Sequence, residues 1–196
     1  MANPGGNLTG VTRFTRELSG KRLEVLKEIV PKVSRVGVLE AASAGPPYFK
    51  DYELAARALK ILLERLEVRG PNPELEGAFR EMTKRRVGAL ITARNPLLII
   101  NRKQIADLAI KNRLPLMSEG SDFAESGALA SYASDDVANF KRAAVYVDKI
   151  LKGRKTADLP VEQPTAFEFV INLKTAKQIG VMIAPEVLAR ANKLIK

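Results

Sequence analysis

Short apolar runs alternate along this chain with stretches of helical periodicity, and that alternation constrains its fold more than any other feature. Arg35-Val-Gly-Val-Leu39 is bounded by turn-formers and reads as a buried strand, and Val87-Gly-Ala-Leu-Ile-Thr92 reads as the clearest central strand. Between them Tyr48, Phe49, Tyr52, Ala55, Ala56, Leu59, Leu62 and Leu63 recur at three- and four-residue spacing, which predicts a helix over 48–63. Arg65-Leu-Glu-Val-Arg69 alternates polar and apolar residues, as a half-buried or edge strand would. Asn72, with Pro73 behind it, is expected to open a helix whose apolar face is Leu75, Ala78, Phe79 and Met82. Helices are also expected over 97–112 and 137–151, the second capped by Asp135 or Asp136 and stopped by Gly153. Further strands are expected over 114–117 and 128–132, and at Phe167, Phe169 and Ile171.

Strands separated by helix-length segments imply a parallel sheet covered on both faces. The expected fold class is α/β: a doubly wound parallel sheet forming one complete lobe, plus an incomplete second lobe. The second lobe is inferred from two segments that fit the repeating unit poorly. Residues 6–12 are a glycine-rich strand leading into a helix, and 159–165, with Pro160 and Pro164, read as an extended connector. The expected division is 1–33, a first-lobe remnant with a crossing helix; 34–160, the complete lobe; and 161–196, a crossing segment returning to the first lobe.

Composition removes whole classes of chemistry. The 196 residues include no Cys, His or Trp. A Ser-His-Asp triad, an imidazole acid or base, a thiolate nucleophile and cysteine or histidine zinc sites are therefore impossible. No Gly-x-Ser-x-Gly elbow is present, and Val87 to Thr92 ends without the acidic residue a phosphoryl receiver would need. A binding protein is expected rather than an enzyme, with no cofactor and no metal. No apolar stretch approaches the roughly 20 residues of a membrane span, so a soluble chain is expected.

The net charge is +10, yet Leu114 to Asn139 holds no Lys or Arg and five acids: Glu119, Asp122, Glu125, Asp135 and Asp136. These are either turn and capping residues or the acidic wall of a ligand cleft. The run Lys84-Arg85-Arg86 closes a predicted helix, where cations offset the dipole, and no aromatic residue is interleaved with it, so no nucleic acid is expected as a partner.

Several stretches together resemble a known family. They are Pro4-Gly-Gly-Asn-Leu-Thr-Gly-Val11, Gly20-Lys-Arg-Leu-Glu-Val-Leu-Lys-Glu-Ile-Val-Pro31, Ser34-Arg-Val-Gly-Val-Leu39, Ala143-Ala-Val-Tyr-Val-Asp-Lys-Ile-Leu-Lys-Gly153, Leu159-Pro-Val-Glu-Gln-Pro164 and Phe169-Val-Ile-Asn-Leu-Lys-Thr-Ala-Lys177. The resemblance is to substrate-binding proteins of ABC importers with the type I periplasmic-binding-protein fold, in the branch that takes up amino acids or related solutes. It implies two lobes hinged around a small-molecule solute, with an ABC permease as partner of the full-length protein. It also implies that the export signal and most of the first lobe are missing, so that the protein is periplasmic by resemblance but cytoplasmic if made as written.

Ligands of such sheets sit beyond the carboxyl ends of the strands. Ser43, Asn95, Glu119, Ser121, Tyr132 and Asp135 are therefore the candidate ligand-binding residues. Ser43 is a donor for a ligand carboxylate or a loop residue beside Gly45-Pro46-Pro47, and Asn95 reads a ligand or forms a turn. Glu119 and Asp135 would hold an ammonium, Asp135 being equally a helix cap, and Tyr132 would pack over the solute. The sequence departs from the family at Glu40-Ala41-Ala42-Ser43, where relatives carry Asn-Pro, and at Ala133, where relatives carry Gly. Because the partner strands of the first lobe are missing, the helix with Leu23, Leu26, Ile29 and Val30 is expected to lack cover. The flanks would then be mobile, or would bury themselves by self-association.

Overall fold

The computed structural model describes residues 5–42 and 47–196. Its frame is a seven-stranded sheet of β1 (Arg35–Ala41), β2 (Leu62–Val68), β3 (Ala89–Thr92), β4 (Leu116–Ser118), β5 (Ala130–Ser134), β6 (Phe167–Asn172) and β7 (Lys193–Ile195). The helices are α1 (Ser19–Ile29), α2 (Phe49–Ala58), α3 (Leu75–Lys84), α4 (Pro96–Ile100), α5 (Arg102–Lys111), α6 (Ser121–Glu125), α7 (Asp136–Leu151), α8 (Leu173–Ile179) and α9 (Pro185–Leu188). The strand order is β2-β1-β3-β4-β5-β6-β7. Its first five positions are the flavodoxin-like form of the doubly wound sheet, in which the order reverses between β1 and β3.

Both faces of the sheet are covered, which is why its strands read as continuous apolar runs. Val36, Val38, Ala89, Ile91 and Met117 meet α1, α2, α8 and α9 on one face. Leu39, Leu90 and Leu116 meet α3, α4, α5 and α6 on the other. The register keeps the two sets apart, pairing Val36 with Ala89 and Val38 with Ile91. Gly37 lies in the second layer, where a Cβ would stand 2.8 Å from Leu66 Cδ1 and 3.2 Å from Leu90 Cδ1. Its missing side chain lets that layer close.

Several elements differ from expectation for local reasons. The helix expected over 48–63 ends at Ala58, because Lys60 takes a left-handed φ of 55° and Leu62 and Leu63 begin β2. α3 starts at Leu75 behind Glu74, so Asn72 does not cap it. The helix expected over 97–112 is broken at Asn101, which closes α4 and opens α5 while its side-chain nitrogen donates to the Leu97 carbonyl. α6 was not foreseen, and β6 runs antiparallel to β5. An alternation of period two marks a strand without giving its direction.

The flanks also pack otherwise than expected. Leu23, Leu26 and Ile29 of α1 are buried in the same core as Val36, Tyr52 and Phe169, so α1 has the cover it was expected to lack. The self-association expected from an uncovered α1 loses its driving force. In place of a return to a first lobe, residues 167–195 add β6 and β7 to the main sheet. What stands off the sheet is an arm made of residues 5–12 and 136–165. There Val11 bridges Glu162, the Thr9 hydroxyl donates to the Leu159 carbonyl at 2.7 Å, and the Tyr146 hydroxyl donates to the Pro160 carbonyl at 2.7 Å. Among the described residues, no helix is long and apolar enough to cross a membrane.

Candidate functional site

The strand order reverses between β1 and β3, and at such a reversal doubly wound sheets hold ligands in the crevice beyond the carboxyl ends of the strands. Arg94 and Asn95 leave β3 there, and Glu119, Gly120 and Ser121 leave β4 beside them. Asp135 and Asp136 follow β5 on the same edge. The chain end of β1 continues into Ser43, which lies outside the described residues.

Glu119 is the most buried charge of this edge, and three donors surround it. Arg22 Nη1 reaches its Oε1 at 3.0 Å, the Tyr52 hydroxyl donates to the same oxygen at 3.4 Å, and the Arg94 backbone N–H donates to Oε2 at 3.1 Å. Both side chains of the Arg22–Glu119 pair are 1% exposed. Burial raises the Glu119 carboxyl above its ordinary range, with Arg22 opposing that shift, and burial likewise raises the Tyr52 phenol. Arg22 also donates from Nε to the Tyr132 carbonyl at 2.9 Å and from Nη1 to the Thr15 carbonyl at 2.8 Å. Glu119 therefore ties α1, α2 and β3 together beneath the crevice, instead of standing open to a ligand ammonium.

Above it lies a second, more open network. Arg94 Nη1 donates to Asp122 Oδ1 at 2.9 Å, and Arg94 Nη2 stands 3.7 Å from Asp136 Oδ2. Arg13 Nη2 reaches the same Asp136 oxygen at 2.6 Å. The bare α-carbon of Gly120 makes room for this arrangement, since a Cβ would collide with Arg94 Nη1 and Asp122 Oδ1. Arg94 is 19% exposed and its acids 31% and 34%, so solvent reaches all three.

The remaining expected residues divide. Ser121 opens α6 half-buried at the crevice. Asn95 is at the crevice too, but its side-chain oxygen accepts from the Leu97 N–H at 2.8 Å and caps α4. Asp135 caps α7 by accepting from the Ala138 N–H at 3.0 Å, which is the capping alternative considered for it. Tyr132 sits within β5 with its ring against Phe167 and Phe169, at centroid distances of 6.4 and 6.1 Å. That contact holds the ring in the sheet's side-chain layer. Arg94 and Arg13 are absent from the expected residues, whereas Asp136 is among them only as one of the five acids of the window and a possible helix cap. The signal that points to them is the basic-free window itself, since five acids in one segment need cations from elsewhere. Arg22 meets Glu119, Arg94 meets Asp122, Lys193 meets Glu125, and Arg13 meets Asp136. No cluster suited to a metal ion occurs among the described residues.

A family model described as ABC transporter substrate binding protein matches residues 1–195. The chain belongs to that family. A tyrosine-binding protein of Clostridioides difficile is 24% identical over 180 residues, covering 91% of this chain and 51% of the relative. The chain thus spans about half the length of the curated relative it matches. Among solved structures, an ABC domain from Streptococcus pneumonia in complex with L-Trp aligns at a TM-score of 0.84 with 24% identity, over 99% of this chain and 67% of the other. A conserved domain protein from Vibrio cholerae aligns at 0.85 with 24% identity, over 97% of this chain and 64% of the other. For this substrate-binding family member, these structures share the fold, a mostly parallel sheet flanked by helices.

Proposed function

We propose that this chain supplies one wall of an interlobe solute site and grips an amino acid or a closely related solute at the crevice. The observation that carries the reading is the Arg94–Asp122–Asp136–Arg13 network at the reversal of strand order. It holds both signs of charge in one partly open layer, which suits a zwitterion. A ligand carboxylate would take Arg94, and a ligand ammonium would take the acid so released, with Ser121 as an added donor or acceptor. Buried Glu119 and the Asn95 and Asp135 caps hold the strand ends in place. The relatives support an aromatic amino acid, because one is named for tyrosine and one was solved with L-Trp.

The role is capture by closure of a hinged clamp and handover to an ABC permease, with no catalytic step and an extracytoplasmic setting. Nucleic acid is not a partner in this reading. Arg85 of the basic run is paired with Glu81 at 2.9 Å and Glu64 at 3.2 Å, which supports reading that run as a solvated surface.

The test uses a property of the composition. With no Trp in the chain, the fluorescence of added L-Trp reports binding directly, while calorimetry covers L-Tyr and a panel of amino acids and small organic acids. Saturable binding without turnover is expected. Arg94→Gln should weaken it by about 1.5–3 kcal/mol, the value of a hydrogen bond to a charged group. Absence of saturable binding across the panel overturns the reading.

A further inference from the structure

Gly120 follows β4 at the crevice, and nothing in its own backbone calls for a glycine. Its φ is −171° and its ψ 147°, an extended conformation open to any residue. Its carbonyl accepts from the Ser118 hydroxyl at 3.2 Å and from the Phe123 N–H at 3.2 Å, bonds that do not depend on the absence of a side chain. The residue is nevertheless buried. The three atoms nearest to a Cβ built there are Arg94 Nη1, Asp122 Oδ1 and, at 3.3 Å, Arg94 Cζ. One ion pair therefore fills the space of the missing side chain, and it does so with side-chain ends, not with backbone.

Arg94 is fixed at its other end. Its N–H donates to Glu119 Oε2 at 3.1 Å, and the N–H of Ala93 donates to the Leu39 carbonyl at 3.0 Å. Glu119 is itself tied to Arg22 at 3.0 Å in a pair that is 1% exposed on both sides. With the main chain pinned in this way, a Cβ at position 120 can be relieved by pushing the guanidinium and the Asp122 carboxylate off the end of β4.

We propose that Gly120 is a positioning residue for solute carboxylates. Its bare α-carbon seats the Arg94 guanidinium with Nη1 on Asp122 at 2.9 Å and Nη2 toward Asp136 at 3.7 Å, so an α-carboxylate meets a planar donor set in advance. Holding the fork beforehand spares the ordering of a long side chain on binding. The inference rests on the reading of Arg94 as the carboxylate's partner and deepens it: selection of a carboxylate over its amide depends on residue 120, which acts through Arg94 alone.

Gly120→Ala tests this, with Gly120→Ser as a second variant and circular dichroism showing that each remains folded. The first measurement needs no solute. Nitrogen-15 relaxation of the arginine Nε–H groups, with the Arg94 signal identified by its loss in Arg94→Gln, should show a restrained side chain that becomes mobile in both variants. The second compares L-Trp with L-tryptophanamide at pH 6, where both amines are charged, using the fluorescence of the solutes themselves because the chain has no Trp. Gly120→Ala should weaken L-Trp by about tenfold, the lower end for a hydrogen bond to a charged group, and change L-tryptophanamide by less than about twofold. An Arg94 side chain equally restrained in the variants overturns the proposal while leaving the solute reading intact, as does an equal loss of both solutes. Failure of the unaltered chain to bind either solute, with the restraint still lost in the variants, overturns the solute reading and the carboxylate role together, and reduces Gly120 to the seat of a structural ion pair.

Discussion

Leu90 in the sheet and Phe140 on α7 are both large apolar residues on regular elements, yet one is 0% exposed and the other 76%. The difference is not in local pattern, since each element shows the apolar spacing proper to its type. It lies in the presence of a second layer. β1, β3 and β4 send residues into core layers on both faces of the sheet, whereas the arm of residues 5–12 and 136–165 has cover on one side only. Hydrophobic periodicity therefore reports a face that seeks cover, and only tertiary structure shows whether cover is found. The body should accordingly hold nearly all of the unfolding free energy, with the arm contributing little.

The largest effect expected concerns the buried charges. Glu119→Gln leaves the Arg22 guanidinium buried without its carboxylate, and breaking such a pair costs about 3–5 kcal/mol. Adding Arg22→Met should recover part of that loss. On the arm, Asp148→Asn removes an exposed pair with Lys152 and should change stability by less than about 1 kcal/mol. Urea unfolding of the three variants measures the contrast, and equal losses at the two sites would dissolve the distinction between body and arm. A loss of solute affinity without loss of stability in Glu119→Gln would return that residue to the ligand-contacting role first expected of it.

Next in size is the apolar comparison. Leu26→Ala in α1 opens a cavity in a covered layer and should cost about 2–5 kcal/mol. Val147→Ala on α7 removes apolar surface that is already in water, so its effect at low protein concentration should lie within about 0.5 kcal/mol. A small effect of Leu26→Ala would revive the expectation that α1 lacks cover. That expectation failed because it counted only strands that α1 was presumed to have lost, while the strands of its own sheet cover it.

The same contrast explains what the sequence could and could not reveal. β1, β3 and α7 were legible because continuous apolar runs and a capped 3.6-residue period are local signals. The end of α2 was not, since Leu59, Leu62 and Leu63 continue its period across a turn that Lys60 makes with a positive φ. α6 was missed because five residues are too few to display a period. The sequence also identified the acidic window, which the structure places beyond the carboxyl ends of β4 and β5. It could not show that Arg22, 97 residues before Glu119, fills the space a ligand ammonium was expected to take. Ion pairs between distant segments leave no mark in spacing, so the acids seemed available and Arg94 went unnoticed.

The smallest effect concerns how the arm is fastened. Arg142 donates from both Nε and Nη2 to the Glu162 carboxylate, and these bonds hold the Glu162 carboxyl down to about 2. A carboxyl depressed in the folded state adds stability above its unfolded value of about 4.3, and that contribution disappears as pH falls through the folded value. Between about pH 4.3 and pH 2 the inner face of α7 should therefore loosen from residues 160–165. The pair is partly open to solvent, so added salt should shrink the effect by screening it. Carbon-13 NMR titration of Glu162, read with hydrogen exchange of the α7 amides, measures both parts of the claim. Arg142→Gln should return Glu162 to the ordinary carboxylate range and raise α7 exchange at neutral pH, leaving exchange in β1 and β3 unchanged. Titration of Glu162 near 4.3 in the unaltered chain would show that Tyr146 and the Val11 bridge hold the arm without help from this ion pair.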